Sequence, residues 1–226
     1  MDNRPRSPLS WPTVVGLVVA LGGPAALAAI SPRVVGDSPN LGPQILLQSV
    51  FCGLAVFVVV LVLRYERLPL RSIGLRRPDR ATVVTALLLF LVGFILLPLV
   101  IAPLVKVWGQ QGADEGIAGL AALPGWFRVV LGVTGGVVEE TLYRGYAVER
   151  LATIAGRRWL GATLATIAFG AAHIPAWGLG FALVADLPAG VILVLFYLWR
   201  RDLVANMLAH STGLIVAMFT TVPPAV

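Results

Sequence analysis

The stretch ATVVTALLLFLVGFILLPLVIAPLV, residues 81–105, runs for twenty-five residues without a charged side chain. A helix needs ~20 mostly apolar residues to cross the ~30 Å hydrocarbon core of a bilayer, so this stretch reads as a membrane span. The pattern recurs along the chain. Candidate spans run from Trp11 to Ile30, Gln44 to Leu63, Ala81 to Val105, Trp126 to Val148, Trp159 to Pro175, Phe181 to Trp199 and Leu203 to Val222. The expected architecture is all-α: a polytopic transmembrane helix bundle of about seven spans, one membrane-embedded domain over residues 1–226. Of the 226 residues, 58% are hydrophobic and 12% charged, against ~25% charged in ordinary soluble domains. A soluble domain, a disordered chain and a disulfide scaffold are all excluded. The single cysteine, Cys52, reads as a small buried hydrophobe.

The net charge of +6 is laid out by topology and not as a nucleic-acid face. Sixteen of the seventeen basic residues are Arg, and no basic surface alternates with aromatics. Arg4 and Arg6 precede the first span. Arg64, Arg67, Arg71, Arg76, Arg77 and Arg80 follow the second; Arg150, Arg157 and Arg158 follow the fourth; Arg200 and Arg201 follow the sixth. Seven crossings put all thirteen on one side, leaving Arg33, Lys106 and Arg128 with Asp37, Asp114 and Glu115 on the other. The positive-inside rule then makes the N-terminus cytoplasmic and the chain a multi-pass protein of the inner membrane. The Arg-rich loop 64–80 reads as an anchor at an anionic leaflet. A cleavable signal ending at Ala26-Leu27-Ala28 is the alternative for the first span. The preferred reading is a spanning helix broken at Gly22, Gly23 and Pro24. The Gly- and Ala-rich loop 109–124 is a candidate re-entrant segment.

Ionisable groups inside a bilayer cost at least ~2.5–3.5 kcal/mol each on insertion scales, so those present need a reason. The fourth span contains GGVVEETLYRGY, residues 135–146. Glu140 and Arg144 stand at i,i+4, on one helix face, and can pair. Glu139 is rotated ~100° away and is left for chemistry. Gly132 and Gly136 form a GxxxG that lets another helix approach the acids. Both histidines of the chain, His173 and His210, also lie in predicted spans. Counted from the nearest Arg, Glu139 and His210 lie ~13–17 Å deep and His173 ~22 Å, a difference that tilt or a kink has to absorb. Asp186 reads as a capping or interfacial acid.

No Gly-x-Ser-x-Gly and no HExxH occurs. Two chemistries remain open. Glu139 can act as general base on a water, with one histidine orienting that water and the other stabilising an oxyanion or protonating the leaving amine. Alternatively, Glu139, His173 and His210 could hold a zinc ion.

These motifs resemble the CPBP family of intramembrane proteases (CAAX protease and bacteriocin-processing, or Abi), including its type II CAAX prenyl endopeptidases. Its signatures are Glu-Glu-x-x-x-Arg, Phe-x-x-x-His, and His-x-x-x-Asn or Asp, on successive helices. Glu139-Glu140-x-x-x-Arg144 matches the first, Phe169-x-x-x-His173 the second, and His210 the start of the third. Residues 121–222 then form the family-like core, and residues 1–120 are the variable N-terminal spans. The resemblance implies an intramembrane endopeptidase in which Glu139 activates water, His173 assists, His210 stabilises the oxyanion, and Glu140 and Arg144 hold the helix. Its partners would be the lipid bilayer and a peptide or protein substrate, prenylated or bacteriocin-like, with no nucleic acid. Leu214 departs from the pattern, since it replaces an Asn or Asp expected to support His210; Asn206, Ser211 or Thr212 could substitute. The rival reading is a non-enzymatic membrane protein, an inactive family member in bacteriocin immunity or regulation, or a transporter. A cavity facing the cytoplasm would suit a substrate C-terminus presented from the inner leaflet.

Overall fold

The computed structural model describes residues 9–36, 41–109, 119–120 and 122–220, and these form helices with no strand among them. The helices are α1 (Trp11–Val35), α2 (Leu41–Tyr65), α3 (Arg80–Trp108), α4 (125–155), α5 (Arg158–Phe181), α6 (Leu187–Arg200) and α7 (Leu203–Thr220). Arg4, Arg6, Asp37, Asp114, Glu115, most of the loop 109–124 and the end of the seventh predicted span lie outside the described residues.

Five continuous helical stretches are long and apolar enough to cross a membrane: α1, α2, α3, the 43-residue run Arg158–Arg200, and α7. That makes the chain a multi-pass membrane protein. At 1.5 Å per residue a straight helix of that 43-residue length would reach ~65 Å, about twice a bilayer core. It does not run straight. Gly178 has φ +80° and ψ 161°, outside helical geometry. A Cβ on Gly190 would touch Phe169 and Thr166, and one on Gly170 would touch Leu187. Such contacts, centred on residue 178, require the chain to double back there. The reversal thus falls at Gly178, beyond the predicted end at Pro175, which α5 carries inside its helix.

The charged α4, predicted as the fourth span, is not among these five stretches, and it is the helix most enclosed by protein. Every residue from Glu140 to Val148 is buried. A charged helix can sit at membrane depth when other helices surround it. α7 runs antiparallel along it, and the predicted GxxxG makes the contact. A Cβ on Gly136 would lie 2.4 Å from the Ser211 backbone nitrogen, and one on Gly132 would lie 2.5 Å from the Ile215 side chain. Only glycine permits that approach.

Two expectations are corrected. First, α1 is not broken at Gly22-Gly23-Pro24; it continues to Val35 with Pro24 and Pro32 inside it, and Gly23 packs on Leu54 of α2. Neighbouring helix packing replaces what the prolines remove. Second, the Arg-rich loop does more than anchor the chain. Its Leu70–Ile73 turn tucks under the bundle, with Ile73 fully buried, and the Leu203 N–H donates to the Gly74 carbonyl at 3.0 Å. Cys52 is a free thiol, partly buried against the main core cluster.

Candidate active site

From Glu140 to Ala147, α4 is wound in wide π-type turns, a distortion that concentrates at functional sites. It opens with Glu140, whose side chain is 0% exposed. A carboxylate so placed must find its charge partner within the protein. Its Oε1 accepts from Arg144 Nη1 at 3.0 Å and from His210 Nδ1 at 2.8 Å, and its Oε2 accepts from Asn206 Nδ2 at 3.0 Å. Arg144 also donates to the Gly190 carbonyl at 3.3 Å and lies 4.1 Å above the Phe169 ring. The predicted Glu140–Arg144 pair therefore forms, and it ties α4 to α5, α6 and α7.

Asn206 replaces the missing polar residue by a different route. Its Nδ2 donates to Glu140 and, at 2.9 Å, to the Leu193 carbonyl. It thus supports the carboxylate that holds His210, not His210 itself. Ser211 donates to the Val133 carbonyl at 3.1 Å, Thr212 is exposed, and Leu214 lines an apolar cavity.

Glu139 stands apart from this network, with 16% of its side chain exposed. One oxygen lies 4.0 Å from His173 Nε2 and the other 3.7 Å from His210 Nε2. The structure thus brings together the three residues singled out for chemistry. The opposite ring nitrogens set the tautomers. His173 Nδ1 lies 2.7 Å from the Phe169 carbonyl and His210 Nδ1 lies 2.8 Å from the Glu140 carboxylate. Both partners are acceptors, so each Nδ1 carries a hydrogen and each neutral ring turns its Nε2 lone pair toward Glu139. Three acceptors converge, and a proton-bearing species suits the gap between them.

The depth mismatch disappears because Arg150, one of the arginines used as surface markers, is itself recessed. Arg150 is buried and pairs with Glu66 at 2.6 Å, and α4 continues to Ala155. Measured from there, Glu139 is about as far along α4 as His173 is along α5. The turn before α7 is also recessed, with Asp202 at 0% exposure.

The donor set is chemically suitable for zinc, but its spacing is not. Tetrahedral ligands at ~2.0–2.1 Å from zinc stand ~3.3 Å apart, closer than the 3.7 and 4.0 Å found here. Among the described residues no group of three or more His, Cys, Asp or Glu is set to hold a metal ion.

Two cavities meet at Glu139 and His173. The larger, 460 Å³, is mostly apolar, walled by Phe94, Leu97, Ile101 and Trp177 together with His210. The smaller, 230 Å³, lies between α1, α2 and α5 and includes Ser31, Gln44 and Gln48.

Residues 121–214 match the model of a family described as type II CAAX prenyl endopeptidase Rce1-like. This segment is Rce1-like. The match takes in Glu139, Glu140, Arg144, Phe169, His173, Asn206 and His210, and ends at Leu214. The protease-family resemblance is thereby borne out over this segment, together with its place in a membrane protein. No curated protein and no solved structure matches the chain.

The carboxylates at the Arg-rich end escaped the sequence reading. Glu66 accepts from Arg150 and Tyr146, Glu149 from Arg201 and Tyr197, and Asp202 from Arg76 and Thr82. The signal was available: each acid stands in a segment crowded with arginine. Asp186 is no helix cap, since it makes no capping hydrogen bond. It lines the larger cavity, with Oδ2 buried and unpartnered.

Proposed function

We propose that the chain is an intramembrane endopeptidase that hydrolyses peptide bonds through a water activated by Glu139. The observation that carries this reading is the placement of the Glu139 carboxylate between two Nε2 atoms, at the junction of two cavities. The water donates one hydrogen to Glu139 and is oriented by His173. Its oxygen adds to the scissile carbonyl carbon as the proton passes to Glu139. His210, once its Nε2 has taken a proton from solvent, donates to the oxyanion and keeps that proton through the cycle, its imidazolium held by Glu140 on the other nitrogen. When the intermediate collapses the C–N bond breaks, and Glu139 returns the proton to the leaving amine. Glu140, Arg144, Phe169 and Asn206 position His210 and α4 and do not touch the substrate. The chain crosses the inner membrane seven times, α4 included and with α5 and α6 as separate crossings, and its Arg-rich loops are cytoplasmic. The substrate is membrane-associated or presented by its C-terminus.

Purified protein in proteoliposomes, incubated with candidate membrane-peptide substrates, tests this. Glu139→Ala and His173→Ala abolish cleavage with unchanged helical content; turnover retained in both sinks the chemistry. Leu214 favours a second reading, an inactive member kept for regulation. That reading wins if no preparation cleaves anything while Glu139→Ala leaves a binding or immunity phenotype intact.

A further inference from the structure

The two cavities that meet at Glu139 lie in the same half of the molecule. The smaller is lined by residues from the second half of α1 (Pro24, Ser31), the start of α2 (Gln44, Gln48) and the far part of α5 (Trp177). The larger is lined by Leu97 and Ile101 of α3, Leu131 of α4 and Leu214 of α7. Every one of these positions lies away from the ends of its helix that carry the Arg-rich loops. That other end is closed. Arg150–Glu66 with Tyr146, Arg201–Glu149 with Tyr197, and Arg76–Asp202 with Thr82 tie the helices together there, and the loop's Ile73 plugs the centre. The Arg150–Glu66 pair is buried, and a buried ion pair is costly to break one partner at a time; the two other pairs, with partly exposed arginines, add further ties across this end.

The two cavities differ in chemistry. The larger presents aromatic and aliphatic walls, with Asp186 offering one unpartnered buried oxygen. The smaller presents a serine and two glutamines besides Glu139 and His173. Gln48 borders both and donates to Thr134 Oγ1. A hydrolase buried among membrane helices needs a place for an apolar peptide segment and a wetted route for its co-substrate.

We infer that Glu139 is served from the membrane face opposite the Arg-rich loops, the larger cavity seating an apolar peptide segment and the smaller admitting the water. The assignment of traffic rests on the endopeptidase reading; the direction of access does not. With the Arg-rich loops cytoplasmic, as proposed above, it would replace the expectation of a cytoplasm-facing cavity. If the Arg-rich loops are cytoplasmic, substrates reach the site from the outer leaflet side.

Single cysteines in a Cys52→Ala background test the inference. Leu97→Cys reports on the larger cavity, Ala28→Cys on the smaller, and Arg77→Cys on the Arg-rich face. Right-side-out and inverted vesicles are labelled with a charged, impermeant methanethiosulfonate and with N-phenylmaleimide. Ala28→Cys is expected to react with the charged reagent from the side opposite to Arg77→Cys. Leu97→Cys reacts at least tenfold faster with N-phenylmaleimide than with the charged reagent. A leucine- and phenylalanine-rich peptide slows that labelling at least threefold and leaves Arg77→Cys unchanged. Labelling of Ala28→Cys from the Arg77 side, or from neither side, overturns the direction of access. Absence of peptide protection at Leu97→Cys overturns the assigned occupant. Neither readout depends on turnover, so a protein that cleaves nothing removes the endopeptidase reading and leaves the direction of access standing.

Discussion

Consider the buried pair at the root of the site, perturbed as Glu140→Gln, Arg144→Met and the two together. Glu140 Oε1 accepts from two donors, the charged Arg144 Nη1 at 3.0 Å and His210 Nδ1 at 2.8 Å. In Glu140→Gln the amide oxygen can keep that position, but its NH2 then meets the Asn206 Nδ2 donor. Asn206 can rotate, because its Oδ1 has no partner, yet doing so takes the donor from the Leu193 carbonyl. One buried hydrogen bond is lost, worth ~1–3 kcal/mol. Arg144, 1% exposed, is left as a buried charge without its counter-charge, and breaking such a pair costs ~3–5 kcal/mol. Arg144→Met leaves Glu140 in the converse position at a similar cost. The double variant leaves neither charge; it keeps the hydrogen-bond loss of Glu140→Gln and adds the loss of the donor to the Gly190 carbonyl. Its loss should fall short of the summed single losses by ~3 kcal/mol. At ~2–4 °C per kcal/mol for a chain of this size, each single lowers Tm by about 10 °C, and the double lowers it by no more than the worse single. Circular dichroism of the detergent-solubilised protein measures this. Additive Tm drops would refute the reasoning, since they would mean that the two charges do not depend on each other.

Gly136→Leu should abolish cleavage and lower Tm by several degrees, because its Cβ meets the Ser211 backbone at 2.4 Å. Gly53→Leu, whose Cβ meets nothing within 4 Å, should behave as wild type in the same assays. Burial pushes the Asp202 carboxyl up, but hydrogen bonds from Arg76, Thr82 and the Ala205 N–H outweigh it and hold the group below the usual aspartate range. The stability it contributes is present above the ordinary pKa of ~3.9 and disappears as pH falls through the lowered folded value. Asp202→Asn should therefore be less stable than wild type at pH 7, with the gap closing below about pH 4; a constant gap down to pH 2 contradicts the assignment. Leu214→Asn should change kcat by less than about 2-fold, because Glu140 already holds His210. A larger rise measured on the same substrate would show that Leu214 limits the site.

Much of the site was legible because membrane insertion makes polar residues conspicuous. Glu139, Glu140, Arg144, His173 and His210 stand out against apolar surroundings, and the i,i+4 spacing of Glu140 and Arg144 was enough to predict their pair. Asn206 was legible as a candidate one turn before His210, although its partner is Glu140. For the acids at the Arg-rich end the crowding by arginine was legible, but their partners were not. Glu66, Glu149 and Asp202 look like ordinary loop charges until the fold places Arg150, Arg201 and Arg76 against them. Asp186 was misread for the same reason: much of its surroundings comes from α3, α4 and α7, far away in the chain.

Residue composition and apolar run length, taken alone, determine that this chain is a helical membrane protein, because hydrocarbon leaves backbone groups no partners except those within a helix. They also single out the residues whose insertion cost demands a purpose. Only the tertiary structure decides which of those residues meet. Helix rise and rotation specify a side chain's depth and face on its own helix, but not the neighbour presented to that face. The close approach of α4 and α7 through Gly132 and Gly136, the reversal at Gly178 and the recessed turn at Asp202 bring Glu139 within 4.0 Å of both histidines. The same packing closes the Arg-rich end and leaves the cavities in the other half, an outcome that charge counting along the chain does not reveal.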